Sequence, residues 1–197
     1  LFRSMLGLWY FKWNIPYMFL RLRIYLRGEK LIRDLQHEYD VFGINDMHDE
    51  LSTVWTNDLF REKVEEEWHL KLLLQERDFL PGDVIADRFA NGIFVSKKII
   101  LIISKTFVEN EWCIFATQIA LVKDMESVFC VLLEDMDRHV PQMTKCLQGI
   151  LRRNLYIKWP ADGGEKDKNK FWKVIKQFVE RPSLLTQERI LEKKNTI

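Results

Sequence analysis

Cysteine, glycine and long apolar runs are all scarce in this sequence, and each scarcity excludes a class of protein. The 197 residues contain only three cysteines, Cys113, Cys130 and Cys146, and no C-x-x-C pair. This odd number fits no disulfide framework and favours a reduced, intracellular domain. The four histidines are scattered along the chain, so the sequence predicts no metal site.

Glycine motifs that bind phosphate are also missing. The eight glycines form neither G-x-G-x-x-G nor G-x-x-x-x-G-K-[ST]. The most conspicuous loop, around residues 77–83, contains the single glycine Gly82. One glycine gives too few closely approaching backbone amides for a phosphate cradle. We therefore expect no nucleotide and no other cofactor.

Neither sign of charge is in excess over the whole chain, but the cations are unevenly placed. The net charge is +1, which does not predict binding of nucleic acid. Residues 1–33 nevertheless contain one acid, Glu29, against seven bases: Arg3, Lys12, Arg21, Arg23, Arg27, Lys30 and Arg33. The uneven charge therefore predicts that residues 1–36 form a segment of their own, before the domain.

This basic segment has no uninterrupted apolar stretch. Arg3, Lys12 and Pro16 break it, whereas a membrane span needs about 20 mostly apolar residues, and no small-residue cleavage site marks a signal peptide. Aromatic rings interleaved with cations are typical of the cytoplasmic edge of a membrane. We expect contact with anionic lipid, and the alternative is packing on the domain. The membrane-proximal residues would be Trp9, Lys12, Trp13, Arg21, Arg23 and Arg27.

What the sequence does contain is a regular alternation of strand and helix patterns. Short apolar runs predict strands at residues 37–46, 69–75, 97–105, 127–135 and 154–159. Helical spacing follows at residues 49–67, 83–95, 110–124 and 171–180. The first helix is predicted from the stripe Leu51, Val54, Trp55, Leu59 and Val64, and the second from Val84, Ile85, Phe89 and Ile93.

This alternation predicts an α/β fold. Residues 99–103 are apolar without a break, as a central parallel strand requires. About five parallel strands with helices on both faces give a flavodoxin-like three-layer sandwich of strand order 2-1-3-4-5. The domain would span residues 37–181 and be followed by a charged tail, residues 182–197. A receiver domain shares this order but needs an aspartate after the third strand, where Ser104 and Lys105 stand.

The loop after the second strand reads RDFLPGD, from Arg77 to Asp83. Pro81 and Gly82 suit the central positions of a type II turn, and Asp83 can cap the helix that follows. Phe79 and Leu80 are apolar, and apolar side chains on a stiff loop suit contact with another protein. The same residues equally suit a tight connection with Phe79 and Leu80 packed into the core. The loop alone does not decide between these readings.

Several motifs together resemble the TIR (Toll/interleukin-1 receptor) domain. RDFLPG resembles its box 2, YDVF (Tyr39, Asp40, Val41, Phe42) its box 1, and Phe171–Trp172 its box 3. FVENEWC, which contains Trp112, and IKWP resemble family segments at residues 107–113 and 157–160. The resemblance runs in order from residue 39 to residue 180. The basic segment then resembles the juxtamembrane stretch of a vertebrate-type Toll-like receptor.

This resemblance implies a signalling module of innate immunity on the cytoplasmic side of a single-pass plasma-membrane or endosomal receptor. Receptor dimerisation would bring such domains together, and they would recruit TIR-containing adaptors and self-associate through the box 2 loop, called the BB loop. Its contact residues would be Arg77, Asp78, Phe79, Leu80, Pro81, Gly82 and Asp83. Tyr39, Asp40, Phe42, Trp112, Phe171 and Trp172 would be structural.

The resemblance also raises an enzymatic alternative, a TIR-type NAD⁺ nucleosidase. Such domains use a glutamate four residues after the tryptophan, where this chain has Ala116. Alanine can neither stabilise positive charge nor bind a ribose, so we expect no NAD⁺ cleavage and no catalytic residue. Glu109 and Glu111 precede this position and are expected in the loop. Box 1 departs from the family pattern at Gly43, where a strand glycine either weakens the strand or marks close approach by another backbone.

Overall fold

The computed structural model describes residues 37–79, 82, 84–136, 143–153 and 155–181. These residues form a five-stranded, entirely parallel sheet in the order β2-β1-β3-β4-β5. The strands are β1 (Tyr39–Ile44), β2 (Leu72–Leu74), β3 (Ser96–Ile103), β4 (Val128–Leu132) and β5 (Tyr156–Lys158). The predicted fold class and strand order are confirmed.

Strand β3 forms the centre of the sheet. Its residues 99–103 are all fully buried, because helices cover both faces at this point. Phe42 of β1 is in register with Ile99, and Ile99 is in register with Val128 of β4. The chain therefore crosses over between β1 and β3, and the carboxyl ends of these two strands flank the topological switch point of the sheet.

Six helices surround the sheet in the described part of the chain. They are α1 (Glu50–Val54), α2 (Gln75–Asp78), α3 (Ile85–Val95), α4 (Glu111–Lys123), α5 (Lys145–Arg152) and α6 (Glu165–Glu180). Two π-helical segments, Trp55–Phe60 and Glu62–Glu67, continue α1, and a 3₁₀ turn, Met125–Ser127, precedes β4. No helix among the described residues is long and apolar enough to cross a membrane.

Two apolar layers hold the helices on opposite faces of the sheet. On one face, Trp55 and Phe171 join a core cluster that includes Val41 and Ile100. On the other face α3 lies close to the strands, because a Cβ built on Gly92 would come within 2.9 Å of Leu73 and Phe42 side chains. Alternation of side chains along β1 and β3 supplies both layers from the same strands.

The predicted apolar stripe of the first helix is wrong in three of its five positions. Trp55 and Val64 are buried, but Leu51, Val54 and Leu59 are 53%, 52% and 42% exposed. Leu51 and Val54 precede the π-helical winding, whose longer backbone repeat accounts for the exposure of Leu59. That winding aligns Trp55, Phe60 and Val64 toward the core instead.

Four further elements differ from the sequence prediction, the first being the closing helix α6, which begins at Glu165 and not at residue 171. Arg77 and Asp78, predicted in a loop, lie in α2, where the Phe79 amide donates to the Gln75 carbonyl. Glu111 opens α4 rather than lying in the loop, because the Asn110 side chain caps the amides of Trp112 and Cys113. Helix α5 has no predicted counterpart, since its buried apolar positions are only Leu147 and Ile150.

Candidate functional site

The BB-loop segment begins on α2, where Arg77 and Asp78 bind each other. Arg77 Nε and Nη2 donate to the two carboxylate oxygens of Asp78 at 2.7 and 2.9 Å. Asp78 Oδ2 also accepts from the Leu74 amide at 2.8 Å, at the end of β2. This fork-like pairing fixes both side chains at the base of the loop.

Arg77 also ties this base to the π-helical segment that precedes β2. Its Nη1 donates to both oxygens of Glu65, at 2.9 and 3.0 Å, and its Nη2 donates to the Leu72 carbonyl at 2.7 Å. The hydrogen bond to Asp78, followed by the one to Glu65, raises the pKa of Arg77 despite partial burial. The structure thus places the Arg77 and Asp78 side chains in an internal network that positions the loop.

Phe79 is the next residue, and its ring points into the domain. The ring centroid lies 5.9 Å from that of Phe42 in β1 and 5.7 Å from that of Phe89 in α3. Aromatic pairs at these distances pack favourably. Of the two sequence-based readings, packing toward the core therefore holds for Phe79, which anchors the loop between a strand and a helix.

Gly82 lies at the tip of the described part of this loop. Its φ is +98°, a conformation that side chains other than glycine rarely adopt, and it is exposed. A positive φ at this position is what a type II turn requires of its second central residue. Leu80, Pro81 and Asp83, the other predicted contact residues, lie outside the described residues.

Two exposed apolar residues, predicted on one stripe with Phe89 and Ile93, follow the turn. Val84 is 63% exposed and Ile85 is 42% exposed, whereas Phe89 and Ile93 of the same predicted stripe are buried. The stripe was predicted from spacing, but the buried residues of α3 begin only at Phe89, in the second turn of the helix. These two adjacent side chains offer apolar surface that a partner could cover.

The box 1 residues lie at β1 and hold it between its neighbours. Asp40 Oδ1 accepts from Lys97 Nζ of β3 at 2.6 Å, and its Oδ2 accepts from the Lys71 amide at 2.9 Å. Burial alone would raise the pKa of Asp40, but these two hydrogen bonds outweigh it and lower the pKa. Phe42 is fully buried, and Tyr39 is partly buried.

Gly43 allows a close approach, as predicted, but side chains make it rather than backbone. A Cβ at this position would lie 3.0 Å from Phe60 and 3.2 Å from Leu74. Box 3 is also in the interior: Phe171 and Trp172 are 2% and 7% exposed. Their rings join an aromatic cluster with Trp55 and Trp159, with centroid distances of 4.9 to 6.2 Å.

Trp112 differs from the other motif residues because it is 43% exposed. It stands in the first turn of α4, with its ring edge-on to Phe115 at 5.8 Å. The start of α4 is fixed to the end of β1, since Asn110 Nδ2 donates to Asp46 Oδ1 at 2.9 Å. Trp112 therefore presents an aromatic surface near the switch point of the sheet.

At the switch point, the described side chains leave little capacity for catalysis or for binding a ligand. Asp46 is 3% exposed, and its Oδ1 accepts from the His48 amide as well as from Asn110. Ala116, at the position of the family glutamate, is fully buried. Among the described residues no cluster of histidine, cysteine and carboxylate side chains could hold a metal ion. Burial raises the pKa of the Cys113 and Cys130 thiols, so neither is a ready nucleophile.

Comparison with known proteins decides the family. The sequence profile described as the TIR domain matches residues 38–196, most of the chain.

The chain belongs to the TIR domain family. Toll-like receptor 2 of sheep, Ovis aries, is 31% identical over 173 residues, which cover 84% of this chain and 21% of the receptor. Toll-like receptor 2 of dog, Canis lupus familiaris, is 30% identical over 140 residues, covering 68% of this chain and 17% of the receptor. The chain thus spans about a fifth of the length of these curated relatives.

Solved TIR structures share the fold. The TIR domain of the Toll-related receptor TRR-2 from Hydra magnipapillata has a TM-score of 0.57 at 22% identity, covering 73% of this chain and 99% of that one. A metazoan TIR-STING receptor from C. gigas, in complex with 2′,3′-cGAMP, has a TM-score of 0.56 at 25% identity, covering 75% of this chain and 41% of that one. The TIR assignment therefore holds at the level of both sequence and fold.

Proposed function

We propose that this TIR domain is the cytoplasmic signalling module of a Toll-like innate immune receptor, and that it recruits TIR-containing adaptors through its BB loop. Receptor dimerisation would raise the local concentration of TIR domains, and the paired domains would form a platform for adaptors and for self-association. The observation that supports this most directly is the loop itself: a base fixed by Arg77 and Phe79, followed by exposed Gly82, Val84 and Ile85.

The contacts within the domain suggest which residues of the loop position it and which bind a partner. Arg77, Asp78 and Phe79 have partners inside the domain, so they act mainly by holding the loop in position. Val84 and Ile85 have apolar surface that the domain leaves open, and this surface is available to a partner. Anchoring of its base at Arg77 and Phe79 lowers the conformational entropy that this part of the loop loses on binding, which favours affinity.

The non-enzymatic reading is supported by the interior position of Ala116. A catalytic group must reach the reacting atoms, and this position is fully buried and carries a methyl group. Asp46, the acid nearest the switch point, is already hydrogen-bonded within the domain. We therefore propose a role in protein contact rather than NAD⁺ cleavage.

The binding experiment compares single substitutions of matched exposure in the 197-residue chain. Ile85 and Leu59 are both helical, apolar and 42% exposed, but only Ile85 adjoins the loop. We expect Ile85→Asp and Pro81→His to weaken binding of an adaptor TIR domain about tenfold or more, because interface anchors cost over about 1.4 kcal/mol when lost. Leu59→Asp should change the affinity less than about twofold.

Circular dichroism of each variant shows whether the fold persists. Binding can be measured by titration of labelled adaptor TIR domain at fixed ionic strength. If folded Ile85→Asp and Pro81→His proteins bind as tightly as the wild type, the loop is a structural turn and the proposed docking site is wrong.

We also propose that the basic segment, residues 1–36, lies against the cytoplasmic surface of the membrane. Its support is the sequence, in which aromatic and cationic residues interleave, since the segment lies outside the described residues. The full chain should bind anionic phosphatidylserine vesicles at low salt and lose most of that binding when the salt rises about tenfold. Binding that is absent, or that does not respond to salt, would contradict this placement.

A further inference from the structure

Strand β2 lies at one edge of the sheet, yet that edge is not open to solvent. Its residues Leu72, Leu73 and Leu74 are 1%, 5% and 2% exposed. Tyr156 in β5, the strand at the opposite edge, is by contrast 40% exposed. An edge strand normally presents a row of unpaired backbone groups. Side chains rather than a sixth strand must therefore cover the free edge of β2.

The pairing with β1 shows which backbone groups of β2 point outward. The Lys71 carbonyl accepts from the Val41 amide at 3.1 Å, so this carbonyl faces β1. Successive residues of a strand direct their backbone polar groups to opposite sides, and Leu73 therefore also faces β1. The N–H and C=O groups of Leu72 and Leu74 then point toward the free edge.

Arg77 and Asp78 occupy the place of the missing strand. Arg77 Nη2 donates to the Leu72 carbonyl at 2.7 Å, and Asp78 Oδ2 accepts from the Leu74 amide at 2.8 Å. One side chain thus supplies the donor, and the other the acceptor, that a neighbouring backbone would supply. The two hydrogen bonds between Arg77 and Asp78 hold this donor and this acceptor side by side.

The edge that this pair covers is complementary to itself. If a twofold axis passes beside Leu73, two β2 strands run antiparallel, and Leu72 of each strand lies opposite Leu74 of the other. Residues that face each other in this way exchange both N–H···O=C bonds, so the outward groups of both strands find partners. Twofold dimers are also the commonest assemblies of identical chains. A second copy therefore fits this edge without any further element.

We propose that the free edge of β2 is a strand-pairing surface for a second copy of this chain, and that Arg77 and Asp78 keep it closed. Pairing would join two five-stranded sheets into one continuous sheet. The side chains of Arg77 and Asp78 are 44% and 20% exposed, so their release uncovers the edge without unfolding the sheet. The inference does not depend on adaptor recruitment, because no contact with an adaptor enters it.

The hydrogen bonds of Arg77 indicate which substitutions open the edge. Its Nη1 also donates to Glu65, so one guanidinium joins two acids and the strand between them. A lysine ammonium lacks this planar fork and cannot keep all of these bonds. Asparagine at position 78, by contrast, retains an oxygen that can accept from the Leu74 amide. We therefore expect Arg77→Lys and Asp78→Leu to open the edge and Asp78→Asn to leave it closed.

Amide hydrogen exchange of the full 197-residue chain, followed by NMR at low protein concentration, tests the closed edge. Asp78→Leu should exchange the Leu74 amide at least about tenfold faster than the wild type, because this amide loses its acceptor. The Leu73 amide, which faces β1, should keep its protection and so report that the sheet persists. Unchanged exchange at Leu74 in Asp78→Leu, or equally fast exchange in Asp78→Asn, would overturn the proposal.

Sedimentation of the same proteins over a range of concentrations tests the pairing. Asp78→Leu and Arg77→Lys should dimerise at least about tenfold more tightly than the wild type. The Leu74 amide of Asp78→Leu should regain protection as the dimer forms. Glu76→Leu is the matched control, since it replaces an acid with leucine on the same helix, and Glu76 contacts Asn57 rather than β2. It should sediment like the wild type.

Three results would contradict pairing through β2. One is a folded Asp78→Leu protein that dimerises no more tightly than the wild type. Another is an increase in association that Glu76→Leu shares, because added apolar surface would then be the cause. The third is a dimer in which the Leu74 amide stays unprotected, since the contact would then lie elsewhere. If Asp78→Leu does not fold, the dimerisation of Arg77→Lys decides in its place.

Discussion

Phe171→Ala is expected to lower the free energy of unfolding by about 3–5 kcal/mol, the range for removing a buried phenylalanine ring. Phe171 is 2% exposed and contacts Trp55, Trp159 and Trp172. Truncation leaves a cavity among rigid rings that cannot close around it. The loss is a large share of the 5–15 kcal/mol by which a domain of this size is typically stable. Urea unfolding followed by circular dichroism measures it.

Lys170→Ala is the matched control for this change. Lys170 adjoins Phe171 in α6 and is exposed, so its truncation should alter stability by less than about 0.5 kcal/mol. If Phe171→Ala were equally harmless while adaptor binding fell, box 3 would be a contact surface rather than part of the core. The substitution therefore separates two roles that the motif alone leaves open.

Ala116→Glu is expected to destabilise the domain by several kcal/mol without creating NAD⁺ cleavage. Ala116 is fully buried, so the added carboxyl group must be desolvated and the neighbouring side chains displaced. Burial and, after it, the charge of Asp46 raise the pKa of nearby Cys113, and both would likewise disfavour a negative charge at position 116. Urea unfolding measures the stability, and chromatographic detection of nicotinamide measures the cleavage.

Val122→Glu places the same side chain on the same helix at an exposed position. Val122 is 37% exposed, so this variant should lose less than about 0.5 kcal/mol and also release no nicotinamide. A folded Ala116→Glu protein that released nicotinamide would show that position 116 can reach a substrate. In that case the absence of a glutamate at position 116 would be what prevents NAD⁺ cleavage by the wild-type domain.

The sheet was predictable from sequence because each strand is marked by a short run of consecutive apolar residues. Five consecutive buried residues in β3 read directly as a central strand, and the alternation of strands and helices determines the parallel order. The π-helical winding after α1 was not predictable, because the spacing of Leu51, Val54 and Leu59 fits an α-helix equally well. Helix α5 was not predicted, because Leu147 and Ile150 alone give too weak a helical periodicity of apolar residues.

The BB loop shows a second limit of prediction from sequence, which concerns contacts between residues far apart in the chain. Arg77, Phe79 and Gly82 were all identified by their motif, but their partners were not. Glu65 precedes Arg77 by twelve residues, and Phe79 packs on rings of β1 and α3, so neither contact follows from spacing. The exposure of Val84 and Ile85 did not follow from spacing either, because the end of the helix that packs on the sheet is determined by the folded chain.

The register between β1 and β3 determines the order in which this domain can be completed. Phe42 is in register with Ile99, so the chain between them, including all of β2 and α3, must be synthesised before the central pair of strands can form. Until then the edge of β1 that pairs with β3 has no partner, although β2 can already pair with its other edge, and such long-range parallel pairings form slowly. A nascent chain of this domain thus passes through a period in which β1 and β2 are exposed without the central strand that later joins them to the rest of the sheet.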